Sequence, residues 1–225
     1  PMLIRWSDQE SLTDWTPAAR NCLMGKHTTP GTSTTGWSLS ISAVAVGCLA
    51  FSYGNGASNT AASSVAVGVA DGTTMWVKVT FDANNGAGGR DIKFYTAPDS
   101  PTETSVWTQL GTSVTVAGAT TISNSTTVLG IGATSNGTFA LDGKLYRGIV
   151  RDGIGGAIVL DVNVDTDCTD SDAASFTATT GQTLTATRST TGRKLAIVTR
   201  PAWQFATDDY MEIVDNALLD FAVSE

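Results

Sequence analysis

Histidine, glutamate, cysteine and clustered basic residues are all scarce in this chain of 225 residues, and each scarcity removes a class of chemistry. The one histidine, His27, stands in Gly25-Lys26-His27-Thr28 beside a polar stretch; that setting predicts a surface loop, and without a second imidazole no triad or metal cluster is spelled out. The only glutamates are Glu10, Glu103, Glu212 and Glu225. A Glu-x-Asp-x-x-Glu spacing, which would set a general acid and a nucleophile about 5 to 5.5 Å apart across one glycosidic bond, is missing. Three cysteines, Cys22, Cys48 and Cys168, form no Cys-x-x-Cys pair and are too few for a disulfide scaffold, so buried free thiols are expected. Lysine and arginine total 13 against 21 acidic residues, a net charge of −8 with no basic run, which argues against a nucleic-acid partner. The longest apolar run, Ile41 to Phe51, is broken by Ser42 and Gly47 and falls short of the ~20 residues that cross a bilayer, so no membrane partner is expected. Pro1-Met2-Leu3-Ile4-Arg5 leads at once into polar residues and carries no secretory signal, although a processed chain would look the same.

What is abundant is the material of strands and turns. Hydrophobic residues make up 41% of the chain and charged ones only 15%, a balance that suits sheets better than helices studded with Glu and Lys. Apolar and polar residues alternate over Trp37 to Ile41, Trp76 to Phe81, Ile92 to Tyr95, Lys144 to Val150 and Lys194 to Val198. Between such runs lie Tyr53-Gly54-Asn55-Gly56, Ala70-Asp71-Gly72, Asn84-Asn85-Gly86, Asn136-Gly137, Leu141-Asp142-Gly143 and Arg151-Asp152-Gly153, which read as tight turns. Short helical turns are predicted only near Asp14 to Arg20 and Asn216 to Phe221. A chain of this length with ten or more short strands is expected to be all-β and to fold as a two-sheet antiparallel sandwich.

Certain segments carry a resemblance. Asp14-Trp15-Thr16-Pro17-Ala18-Ala19, then Lys93-Phe94-Tyr95 with Trp107-Thr108-Gln109-Leu110-Gly111, then Leu141-Asp142-Gly143-Lys144-Leu145-Tyr146-Arg147, resemble the concanavalin A-like (laminin G-like) jelly-roll domains of bacteriophage tail and virion structural proteins. The resemblance implies one jelly-roll sandwich over residues 1–200. It places Gly143 to Arg147 on a strand closing one sheet and the paired Phe-Tyr and Trp-x-x-Leu-Gly segments on a hairpin of the other. The tail from Asp208 to Phe221 resembles the opening strand of such a domain, although it stands at the far end of the chain. Residues 201–225 are therefore expected to complete their own sandwich or a neighbour's, with Tyr210, Ile213, Leu218 and Phe221 as the assembly strand, or to begin a next repeat.

Candidate ligand sites follow from chemistry. Asp161, Asn163, Asp165 and Asp167, extended by Asp170 and Asp172, alternate hard oxygens that would suit Ca²⁺. An EF-hand register from Asp161 puts Thr166 and Asp172 where Gly and Glu belong, so a solvated acidic loop stands beside that reading. A second oxygen-rich group, Asp82, Asn84, Asn85 and Asp91, also reads as turn chemistry. Among the aromatics, Trp15 and Tyr53 are expected to be exposed and able to stack on a sugar ring. The resemblance implies a non-enzymatic module located on a virion and partnered by itself, other virion proteins or a host glycan, without an obligatory cofactor, Ca²⁺ being the one candidate. The alternative is an extracellular bacterial carbohydrate-binding module; a glycoside hydrolase would need a paired-carboxylate cleft.

Overall fold

The computed structural model describes residues 3–12, 14–42, 44–100, 102–103, 106–170, 173–187, 203–205 and 210–213. These form two antiparallel sheets, eight described strands in each, and one four-residue helix, α1 (Val164–Asp167). The first sheet runs β12 (Ile158–Asn163), β11 (Gly143–Asp152), β1 (Leu3–Leu12), β6 (Thr74–Asp82), β7 (Gly89–Pro98) and β8 (Thr108–Gln109); β9 (Val114–Ala117) also pairs with β7, and β15 (Trp203–Phe205) with β11. The second runs β13 (Ser175–Thr177), β14 (Thr183–Thr187), β16 (Tyr210–Ile213), β10 (Leu129–Ile131), β2 (Asn21–Lys26), β3 (Trp37–Ser42), β4 (Cys48–Gly54) and β5 (Ser58–Ala62).

Alternation along each strand sorts the side chains, because successive residues of a pleated strand face opposite sides. Val77, Val79 and Phe81 of β6, Ile92 and Phe94 of β7, and Leu160 and Val162 of β12 enter one buried cluster with Leu39 and Ile41 of β3 and Phe51 and Tyr53 of β4. The sheets thus share a core, and Phe81 of the first stands 5.6 Å from Phe51 and 4.8 Å from Tyr53 of the second, ring centre to ring centre. The three cysteines are free thiols, each buried.

Most turn signals fold as turns: Gly56, Gly72, Gly86, Gly137 and Gly153 all take positive φ, which glycine reaches without steric cost. Leu141-Asp142-Gly143 differs. Leu141 is fully buried and Gly143 opens β11, since core burial of the leucine outweighs a turn. No helix forms over 14–20; Asp14 Oδ1 instead accepts from the backbone N–H and hydroxyl of Thr16. The predicted helix near Asn216 and the predicted strand over Lys194 to Val198 lie outside the described residues.

The expected division of the resembling segments between two sheets is overturned. β7 and β8 pair through Tyr95↔Gln109 and Thr96↔Thr108 in the same sheet as β11, and β11 lies inside that sheet, hydrogen-bonded to β1 and β12. The cause is β1, which runs between β11 and β6 and joins them.

Candidate functional site

The C-terminal segment supplies a strand to each sheet. Trp203–Phe205 pairs with Gly143–Leu145 of β11. Tyr210–Ile213 lies between β10 and β14, with Leu129↔Ile213 and Ile131↔Met211 on one side and Leu184↔Ile213 and Thr187↔Tyr210 on the other. Met211 and Ile213 are buried in the shared core. β16 is therefore the only described strand that ties the β13–β14 hairpin to the rest of its sheet. Leu218 and Phe221, named with Tyr210 and Ile213 as the assembly strand, lie outside the described residues.

Trp15 and Tyr53, expected to be exposed, are core residues at 1% and 2% exposure. The Trp15 indole N–H donates to the Thr73 carbonyl at 3.2 Å and its backbone N–H to Asp71 Oδ1 at 2.9 Å, which draws the loop before β2 onto the start of β6. Tyr53 stacks on Phe51 and accepts a 2.6 Å hydrogen bond on its hydroxyl from Arg90 Nε. Neither ring offers a face to a sugar. The signal for Tyr53 was in the sequence: Leu49, Phe51 and Tyr53 alternate and so share the inner face of β4.

The acidic run is used for edge protection. Asp161 and Asn163 share the outer face of β12, opposite core residues Leu160 and Val162. Asp161 is clamped by Arg147 on the neighbouring strand, Nε to Oδ1 at 2.8 Å and Nη2 to Oδ2 at 2.6 Å. Its hydrogen bonds hold the Arg147 guanidinium further above its ordinary pKa, against desolvation. Asp167 Oδ2 accepts from the backbone N–H of Asn163 and of Thr179, and its Oδ1 from the hydroxyls of Thr166 and Thr179. Thr180 Oγ1 accepts from the Asp161 backbone N–H, and Gln182 donates to the Val159 carbonyl. Three outward backbone groups of edge strand β12, the N–H of Asp161 and of Asn163 and the Val159 carbonyl, are thereby filled by side chains, one way in which sheets avoid pairing with another chain. The oxygens of Asp161 and Asp167 are engaged by donors, and among the described residues no three His, Cys, Asp or Glu side chains gather as a metal group. The backbone of Asp165 lies in α1. Asp82, Asn84, Asn85 and Asp91 form hairpin hydrogen bonds, with Asn85 donating to Asp91 and accepting from Ala87 and Gly89.

Sequence reasoning missed two further places. On the outer face of the first sheet, Trp76, Ala97 and Ile149 form a small second core with Trp107 against it. The Lys78 ammonium lies 3.9 Å from the Trp107 ring centre and 4.5 Å from that of Tyr95, Trp76 donates to the Ser100 carbonyl, and Glu103 pairs with Arg151 at 2.7 Å. The β7–β8 connection is thus fastened across the sheet at three points. On the outer face of the second sheet, His27 is 1% exposed, contrary to its expected surface position. The loop after it covers this face: Gly54 and Gly56 donate to the carbonyls of Gly36 and Thr34, and a Cβ on Gly54 would collide with the Thr34 backbone. Neither ring nitrogen of His27 reaches a partner with full hydrogen-bond geometry among the described residues, the Ser33 backbone supplying only a weaker interaction. Burial pushes its pKa down to about 4; nearby Arg20 adds to this and the Ser33 backbone opposes it. A pocket of about 10 Å³ lined by Lys26, Trp37, Asn124 and Ser125 holds no more than a water-sized occupant.

Compared with known proteins, the chain matches no family model and no curated protein sequence.

Proposed function

We propose that the two sheets form a concanavalin A-like jelly-roll sandwich and that the chain is a non-enzymatic structural and adhesion module of a virion, a tail, fibre or capsid-surface protein. The observation that carries this reading is the seating of Tyr210–Ile213 between β10 and β14. A C-terminal segment that resembles an opening strand completes a sheet by backbone pairing, and the same pairing made between copies would link subunits. The broad fastened faces and the partly filled β12 edge support a rigid scaffold, and the segments resembling phage domains supply the virion setting. The test is molar mass by light scattering of the full chain over a wide concentration range, with retention on immobilised polysaccharides measured with and without Ca²⁺. Concentration-dependent oligomers support the assembly role. A strict monomer retained by a polysaccharide transfers support to the extracellular carbohydrate-binding alternative, and a strict monomer with no retention contradicts both.

A further inference from the structure

We propose that β5 is the docking edge for a second copy of this chain, pairing antiparallel with its own counterpart about a two-fold axis at Thr60. The inference rests on the assembly reading above and names the contact that reading would use.

The hydrogen-bond parity of β4 and β5 decides which backbone groups face outward. Ser63 donates to Leu49 and Asn55 to Ala57, so Ala61↔Phe51 and Asn59↔Tyr53 are the hydrogen-bonded pairs between the strands. The N–H and C=O groups of Ser58, Thr60 and Ala62 therefore point away from β4. No described residue bonds to them, and Ser58 and Thr60 are exposed. The other described edges are partly filled or shorter than β5. Three groups of the β12 edge are filled by Asp167, Thr180 and Gln182. β9 has four residues, and Arg90 of the adjoining strand caps its end, Nη1 donating to the carbonyls of Ala117 and Gly118. β8 has two residues and β13 three.

The sequence of β5, Ser58-Asn59-Thr60-Ala61-Ala62, has no lysine, proline, charge or bulge, the devices that discourage strand pairing. A copy of the same strand fits it. With Thr60 on the axis, Thr60 exchanges both backbone bonds with the second copy's Thr60, and Ser58 meets the second copy's Ala62, so that every outward group is used and only small side chains face each other. In a chain of net charge −8, an uncharged strand is where two copies approach with least repulsion. Apolar surface lies beside it: Val67 donates to the Gly47 carbonyl, which brings the exposed Val46 (56%) and Val65 (48%) toward one end of β5. These valines would be covered as the sheets join.

The experiment compares the full chain with Thr60→Pro and Thr60→Lys by sedimentation equilibrium and thermal melting. The Thr60 backbone N–H makes no bond to β4, so proline there removes an intermolecular backbone donor and no intramolecular backbone one; lysine keeps the donor and adds charge. Since both lose the 3.0 Å hydrogen bond between Thr60 Oγ1 and Ser52 Oγ, Thr60→Ala, which loses that bond alone, is the reference. The expected result is a self-associating wild type and a rise of at least tenfold in the apparent dissociation constant for both variants relative to Thr60→Ala, with the dilute protein melting as Thr60→Ala does. A wild type that self-associates equally well with either substitution overturns the β5 contact and leaves the assembly reading standing. A wild type that stays monomeric at the highest concentration overturns both. Should Thr60→Pro melt below Thr60→Ala in dilute solution, Thr60→Lys alone decides.

Discussion

His27 makes the stability of this protein depend on pH in a window where little else titrates. The imidazole is buried, makes no hydrogen bond of full geometry among the described residues, and has its pKa lowered by burial from 6.5 to about 4 although the Ser33 backbone opposes the shift. A base whose folded pKa lies below its unfolded one binds its proton more readily in the unfolded chain. Unfolding therefore takes up a proton between about pH 6.5 and 4, and stability falls as pH is lowered through that window and levels off above it. At about 1.4 kcal/mol per pKa unit the full effect is on the order of 3 kcal/mol, reached only near the bottom of the window. Because His27 is the only histidine, the slope between pH 5 and 6.5 can be assigned. Denaturant unfolding of the wild type and of His27→Phe at half-unit steps from pH 5 to 7.5 reads it directly. Phenylalanine fills the site without a polar atom, so the variant should match or exceed wild-type stability at pH 7 and lose most of the slope. An equal slope in both proteins would refute the reasoning, as would a His27→Phe variant that is strongly destabilised at pH 7, which would mean the ring nitrogens are satisfied after all.

Three other outcomes are expected. Asp161→Ala should destabilise by about 3 kcal/mol, the low end for breaking a buried pair because Arg147 keeps 17% exposure, and Arg147→Met with Asp161→Leu should recover most of the loss in a double-mutant cycle. Adding millimolar CaCl₂ or EDTA should leave the melting temperature unchanged, because the oxygens of Asp161 and Asp167 are already engaged; a shift of several degrees would restore the cation reading. Trp107→Ala should cost about 2 kcal/mol and quicken proteolysis of the β7–β8 connection, since it removes the ring that meets Lys78 and packs edge-on to Trp76, 6.3 Å away.

The strands at Trp37, Trp76, Ile92 and Lys144 could be read from the sequence because period-two alternation is a local property, and the Asn-Gly and Asp-Gly turns because positive φ selects glycine. What could not be read depends on partners far along the chain. Trp15 is buried by Thr73 and Asp71, and the carboxylate of Asp161 is committed by an arginine on the adjoining strand. His27 is covered by a loop whose neighbours predicted exposure, since polar sequence does not reveal that a loop folds back over a sheet. The oxygen pattern of the acidic run was legible; that its donors would be backbone N–H groups of β12 and Thr179 was not.

The C-terminal strand joins two parts of the second sheet, and truncation after Arg200 tests its role most directly. The shortened chain lacks β15 and β16, leaves β10 and β14 without their shared partner, and opens the core where Met211 and Ile213 lie. Each of those side chains is worth about 2 to 5 kcal/mol in a core, against a total stability of about 5 to 15 kcal/mol for a typical domain. Thermal melting and light-scattering mass should show a product that melts far lower, or fails to fold, and no longer assembles as the full chain does. A truncated chain with the melting temperature and molar mass expected of an intact fold would contradict the account and make the tail no more than a connector.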